Sequence, residues 1–191
     1  MAGPNTDALL KGLRVVVCTD AAEARFVERC VELAASSPAP FARTTFVPGH
    51  FTASSFILSP DHTQLLLIFH GKLHRWLQPG GHIDPDDSSP LAAARREVLE
   101  ETGVGELKVA VDGIFDVDIH AIPSLRGEPA HEHFDLRYLF VAKSMEASAG
   151  SDAQDARWYP LNRISSLQSD ESVMRAVRKI QRRLAAGDLS T

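Results

Sequence analysis

Gly80 to Val104 reads GGHIDPDDSSPLAAARREVLEETGV, and this stretch decides the fold. A Gly-Gly pair leads into an acidic loop, then a short helix, then a glycine stop. Ser89 can serve as N-cap, and Pro90 suits the first helical position, where its missing N–H leaves nothing unsatisfied. Ala92, Ala93 and Ala94 are strong helix formers. Gly103 fits the left-handed position just past the helix end. With Thr102 as C-cap, Val104 is expected to contact Leu99 as in a Schellman motif. Leu91, Ala94 and Val98 form a buried stripe, while Glu97, Glu100 and Glu101 share another face.

The clustering of those glutamates needs a cause. Like charges at such spacings destabilise an isolated helix by roughly 0.2–0.5 kcal/mol per pair. Arg96 can pair with Glu100, but a lone guanidinium does not neutralise three carboxylates. Hard divalent cations take oxygen ligands, and Mg²⁺ is commonly held by a few carboxylates together with substrate phosphates. A carboxylate patch beside a Gly-rich turn is therefore a candidate metal site. Charge runs are more often solvated faces, so helix chemistry alone leaves both readings open.

The order of the residues separates them. Arg96-Glu97-Val98-Leu99-Glu100-Glu101-Thr102-Gly103-Val104 resembles the second half of the Nudix box, Arg-Glu-apolar-any-Glu-Glu-any-Gly-apolar, at every specified position. Gly81 resembles the leading glycine of that box. The middle departs from the pattern: Asp87 stands where a glutamate belongs, and an extra residue separates it from Arg96. Asp86 or Asp87 can fill the acidic position.

The resemblance implies an α/β fold, a Nudix-type α/β/α sandwich with a mixed sheet. It also implies Mg²⁺-dependent, or Mn²⁺-dependent, hydrolysis of a nucleoside diphosphate linked to another group. Glu97, Glu100 and Glu101 would hold the metal, with the Gly81 carbonyl completing the site, and Arg96 would lock a glutamate by pairing with it. Glu97, Asp152 and Asp155 are the candidates for the water-activating base. The alternative is a nucleotide-binding sensor that keeps the fold without hydrolysis; three intact glutamates argue against it. An isoprenoid diphosphate isomerase ranks last, because neither Cys18 nor Cys30 lies near the box.

Composition sets the outer bounds. The chain has 191 residues, 44% of them hydrophobic, enough for one domain with an appendage. A net charge of −5 argues against nucleic acid as the main partner, since phosphate binding needs a basic surface. It leaves room for a small nucleotide whose charge is met by metal ions. Cys18 and Cys30 lack metal-binding spacing and read as free thiols of a reducing compartment. No apolar run reaches membrane-spanning length and no signal peptide is evident, so a cytoplasmic protein is expected.

Residues 1–40 read as a helical extension preceding a Nudix-like domain over residues 41–191. Asp20 to Glu23 resembles a capping box, and Ala24, Val27, Val31 and Ala34 continue it as an apolar stripe. Leu13 to Cys18 is ambiguous between strand and helix. Packing against the domain is the favoured role of the extension; a homodimer contact or a lid is the alternative. Phe51–Leu58 and Thr63–Phe69 read as strands around the polar turn Ser59–His62. Trp76 reads as a core anchor, and Arg75 as a cation that could meet phosphate. Asp116 to His120 alternates, placing its polar set on one face, and Phe134–Val141 is a strong strand. His131 and His133 could ligate a transition metal on a strand edge, but no third ligand is evident. Substrate contact by Glu132 and His133, or simple edge polarity, is preferred. Pro123–Pro129 and Lys143–Asp155 are loops suited to substrate selection. A final helix from Asp170 to Ala186 buries Val173, Val177, Ile180 and Leu184, with Arg178, Lys179, Arg182 and Arg183 on a surface face.

Overall fold

Strand β1 (Gly49–Leu58) is buried along its whole length, which its run of small and apolar side chains permits. The structure is a computed structural model and describes residues 4–125, 127–150, 153–167 and 169–189. The remaining strands are β2 (Gln64–His70), β3 (Arg75–Leu77), β4 (Gly80–His82), β5 (Leu107–Val109), β6 (Asp116–Ile122), β7 (His131–Ala142) and β8 (Ala153–Pro160). Helices α1 (Thr6–Leu13) and α2 (Ala21–Ser36) precede β1, α3 (Pro90–Thr102) follows β4, and α4 (Glu171–Ala186) closes the chain after a 3-10 turn at Leu161–Ser166. The strands form one sheet in the order β3-β2-β1-β7-β5, with β4 on β1, β6 on β7 and β8 on β2, so the chain is of the α/β class. Among the described residues no helix is long and apolar enough to cross a membrane.

The chain forms two compact units, and β1 and β7 each contribute residues to both. The first comprises Met1–Ala53, Gly81–Ala94 and Gly113–Arg137. Asp20 caps α2 by accepting from the Ala22 and Glu23 N–H groups, and Glu23 reaches back to accept from the Thr19 N–H at 2.7 Å. This is the expected capping box, except that the glutamate bonds one residue before the cap. Leu13 to Cys18 resolves as an irregular link: Leu13 is buried at the end of α1, while Val15 and Val17 are 74% and 62% exposed. Their β-branched side chains find no strand to join. Helix α2 buries Cys30, Leu33 and Ala34, and Arg29 ion-pairs with Glu132 of β7 at 2.5 Å.

The interior of this unit carries charge that the alternation of β6 and β7 did not place there. The polar set of β6 is buried at Asp116 and Asp118. Strand β6 runs antiparallel to β7 with Asp116 opposite Arg137 and Asp118 opposite Asp135. Arg137, 2% exposed, contacts Asp116 and Asp118 at 3.3 Å each and Asp135 at 2.9 Å. Thr52 of β1 donates its hydroxyl to Asp135 at 3.2 Å. Burial opposes the Arg137 charge, but the surrounding carboxylates outweigh it and hold its pKa above the usual value. The carboxylates need the guanidinium to be buried at all.

The second unit comprises Ser54–Gly80, Arg95–Asp112 and Tyr138–Thr191. Strand β2 pairs antiparallel with β1, β3 and β8, and β5 pairs antiparallel with β7. The core there is Ile57, Leu66, Val98, Val104 and Ala142, flanked by Leu107, Ala147, Ala156 and Trp158. Trp76 is half-buried and meets Phe69 and Tyr159 edge-on or tilted, with ring centroids 5.3 and 4.9 Å apart. Helix α4 is capped by Asp170 and ends at Gly187 in the left-handed conformation. Its apolar stripe is buried as expected for Val173, Val177 and Ile180, but Lys179 is buried too, against its expected surface placement, and so is Arg175.

Arg137→Met keeps the volume and strands three buried carboxylates. Loss of one partner from a buried pair costs about 3–5 kcal/mol. Urea unfolding at neutral pH should show a loss of that order; a midpoint equal to wild type would mean the carboxylates do not depend on Arg137.

Candidate functional site

Helix α3 begins as its sequence demands. The Ser89 hydroxyl accepts from the Ala92 N–H at 3.1 Å, and Pro90 opens the helix. In the acidic loop before it, Asp87 is buried and accepts from the Asp84 N–H at 2.8 Å, so its carboxylate closes the loop on itself. At the other end Gly103 adopts φ +70° and donates to the Leu99 carbonyl at 2.9 Å. Val104 then enters the core beside Val98, and Leu99 is left 52% exposed.

With Val98 buried, the glutamates grade outward. Glu101 is 6% exposed, and its Oε2 accepts from the Gly80 N–H at 2.8 Å, tying the Gly-Gly turn to the helix. Arg96 Nη1 donates to Glu97 Oε1 at 2.8 Å and to Glu100 Oε2 at 3.2 Å, holding two carboxylates with one guanidinium. The Glu97 side chain is 14% exposed and that of Glu100 49%. Arg96, Glu97 and Glu100 thus form one bonded set on α3, and Glu101 fastens the same helix to the turn before it.

The loop following β7 seats on the last turn of α3. Ser148 and Gly150 donate N–H groups to the carbonyls of Thr102 and Glu101 at 2.9 and 3.0 Å. These are helix-end acceptors that need partners. Trp158 anchors the same loop by donating Nε1–H to the Met145 carbonyl at 2.9 Å.

The other sequence candidates are dispersed. Arg75 is exposed on β3 opposite His70. Asp155 lies within β8 opposite Phe69, not in a loop, and its carboxylate pairs with Arg157 at 2.6 Å. Asp152 lies outside the described residues. Gly81 sits in β4 and falls in the first compact unit. Glu132 is held by Arg29.

His133 belongs to a cluster that the sequence did not reveal. His50 at the start of β1, His82 at the end of β4 and His133 near the start of β7 bring ligand nitrogens within 4.8 Å of one another. Their ring centroids lie 4.9 to 5.2 Å apart. The expectation that His131 and His133 lacked a further ligand fails here, because His50 and His82 arrive from distant parts of the chain. Burial, then the neighbouring imidazoles, pushes His133 down to about 2; burial, then His50, pushes His82 down to about 4. His50 is also lowered by burial, against the opposing pull of the Thr45 carbonyl. These rings are neutral at pH 7 and keep a lone pair each.

Comparison with known proteins bears on the carboxylate helix. A family model described as NUDIX domain matches residues 49–179, a span that contains the whole of α3. A Lactococcus lactis subsp. cremoris protein named "Probable DHNTP pyrophosphohydrolase" is 35% identical over 98 residues, covering 50% of this chain and 56% of that protein. This chain therefore spans little more than half the length of that relative. The crystal structure of a NUDIX-family hydrolase from Clostridium perfringens aligns with TM-score 0.52 and 25% identity over 69% of this chain and 96% of its own. The E. coli dihydroneopterin triphosphate pyrophosphohydrolase shares the fold at TM-score 0.55, with 15% identity, over 68% of this chain and 92% of its own. The mixed sheet flanked by helices is therefore the α/β/α arrangement expected from the box.

A Cβ added at Gly150 would lie 2.4 Å from the Glu100 carbonyl oxygen, closer than real Cβ contacts come. Gly150→Ala should lift the loop from α3 and cost about 1–3 kcal/mol, as overpacking does. Hydrogen exchange should be faster at the Ser148 amide, with urea unfolding giving the energy. Unchanged exchange there would separate the loop from the helix end.

Proposed function

Because this chain belongs to the NUDIX domain family, we propose that it is a divalent-metal-dependent hydrolase. Its substrate would be a nucleoside diphosphate joined to a second group, cleaved at the pyrophosphate linkage. The observation that carries this reading is the bonded set on α3: Arg96 bridging Glu97 and Glu100, with Glu101 fastening the turn that precedes the helix. A solvated acidic face would not need a half-buried Glu97 or a Glu101 committed to a backbone N–H.

The donor set fits a hard cation. Glu97, Glu100 and Glu101 would hold Mg²⁺ or Mn²⁺, both of which take oxygen ligands. When bound, such an ion polarises phosphoryl oxygens and lowers the pKa of its water. Arg96 positions two of the carboxylates and offsets their mutual repulsion. Glu101 orients the Gly-Gly turn toward the helix. We assign Glu97 as the group that accepts the proton of the attacking water at a carboxylate oxygen. Asp155 is less suited to that task, being engaged by Arg157 within a strand. The loop ending at Gly150 borders the last turn of α3 and is the element we assign to substrate selection, together with Pro123–Pro129. The name of the Lactococcus relative supports including DHNTP among the substrates tried.

A turnover assay with Mg²⁺ across nucleotide sugars, dinucleotides, nucleoside triphosphates and DHNTP tests the proposal. Glu100→Gln should lower turnover of the best substrate by about 10²-fold or more, as removal of one preorganised electrostatic contact does, with an unchanged circular dichroism spectrum. Asp87→Ala should change it far less, since Asp87 closes a loop. Full activity of Glu100→Gln would remove that residue from the site. Binding without turnover across the panel would instead favour a nucleotide sensor.

A further inference from the structure

The histidine cluster of the first compact unit lies apart from the carboxylate set in composition and chemistry. Three strands supply it: β1 gives His50, β4 gives His82 and β7 gives His133. The most informative residue is His50, which is 1% exposed. Its Nδ1 lies 3.1 Å from the Thr45 carbonyl oxygen. A carbonyl only accepts, so Nδ1 carries the proton and Nε2 carries the lone pair. That Nε2 is buried and has no hydrogen-bond partner. An orphaned buried acceptor is destabilising, so a site that keeps one calls for an explanation.

From this arrangement we propose that His50, His82 and His133 form a second, nitrogen-ligated site for a divalent transition metal of the zinc class. Imidazole nitrogen suits zinc, cobalt, nickel and copper and suits magnesium poorly. The hydrogen bond from His50 Nδ1 to a backbone carbonyl is the outer-shell contact that fixes tautomer and ring orientation in metal-ligating histidines. A Zn–N distance of about 2.0–2.1 Å puts tetrahedral nitrogens about 3.4 Å apart. The histidine nitrogens lie within 4.8 Å of one another, near that separation. Three nitrogens leave a fourth position for water or a ligand. His82 also lines a cavity of about 520 Å³, bordered by Phe41, Arg43 and Ile83.

Two nearby histidines are placed otherwise and serve as controls. His131 donates from Nδ1 to the Pro129 carbonyl at 2.9 Å, and His120 pairs with Asp118 at 3.4 Å. Neither belongs to the group whose nitrogens converge.

The test uses the full chain, stripped with a chelator and titrated with CoCl₂ or ZnCl₂. Wild type should show, saturating at one equivalent, the visible Co²⁺ absorption of a four-coordinate nitrogen-rich site. His50→Gln and His133→Gln should each weaken binding by about 100-fold or more. His120→Gln and His131→Gln should bind as wild type does. The nitrogen-rich Co²⁺ absorption separates this site from the carboxylate set, whose oxygen ligands do not give it and whose failure would leave it untouched. Should a histidine variant not fold, histidine-ring nitrogen NMR of wild type decides the matter: Zn²⁺ should shift the nitrogens of His50, His82 and His133 and spare those of His120. Absence of that absorption in wild type, or its persistence undiminished in His133→Gln, would overturn the proposal.

Discussion

Burial of Val98 among Ile57, Leu66, Val104 and Ala142 is the constraint from which the carboxylate set follows. A helix has 3.6 residues per turn, so fixing the direction of one side chain fixes all the others. Once Val98 points into the core, Glu101 is drawn inward far enough to hold the Gly80 N–H, and Glu100 is turned half into solvent. Arg96 then spans Glu97 and Glu100. Rotating α3 by even one residue would bury Leu99, expose Val98 and scatter the acids. Core packing and site geometry are thus the same requirement expressed on two faces of one helix.

The end of α3 shows how the fold ties its loops to that helix. Four carbonyls at any helix end lack intrahelical partners. Here Gly103 turns the chain in the left-handed conformation, and the loop after β7 returns to meet the Glu101 and Thr102 carbonyls. Gly150 allows the close approach, because no side chain stands between it and the Glu100 carbonyl. A segment assigned to substrate selection is therefore bonded to the residues assigned to metal binding.

What the sequence revealed was what it wrote locally. The Ser89 cap, the Pro90 start and the Gly103 stop lie within one short stretch, and each behaves as its chemistry dictates. The order of charged residues on α3 carried the family, and the family model bears that out. Long-range encounters were not legible. Asp116, Asp118 and Arg137 read as polar positions of alternating strands, yet they are buried because β6 and β7 pair them face to face. Burial of Lys179 on α4 is likewise a tertiary outcome that helical periodicity does not carry. His133 pointed to a metal only as half of a pair with His131. The nitrogens it meets belong to His50 and His82, and no spacing rule joins residues so distant in the chain. Asp155 was misplaced because β8 begins earlier than Trp158, at Ala153.

The account rests on three glutamates of one helix serving as ligands to a divalent ion. Anomalous diffraction from crystals soaked in MnCl₂ tests this most directly, since the ion reports its own position. The account predicts a manganese peak in contact with carboxylate oxygens of Glu97, Glu100 and Glu101. Full occupancy elsewhere, with those side chains bonded only to Arg96, Gly80 and water, would contradict it.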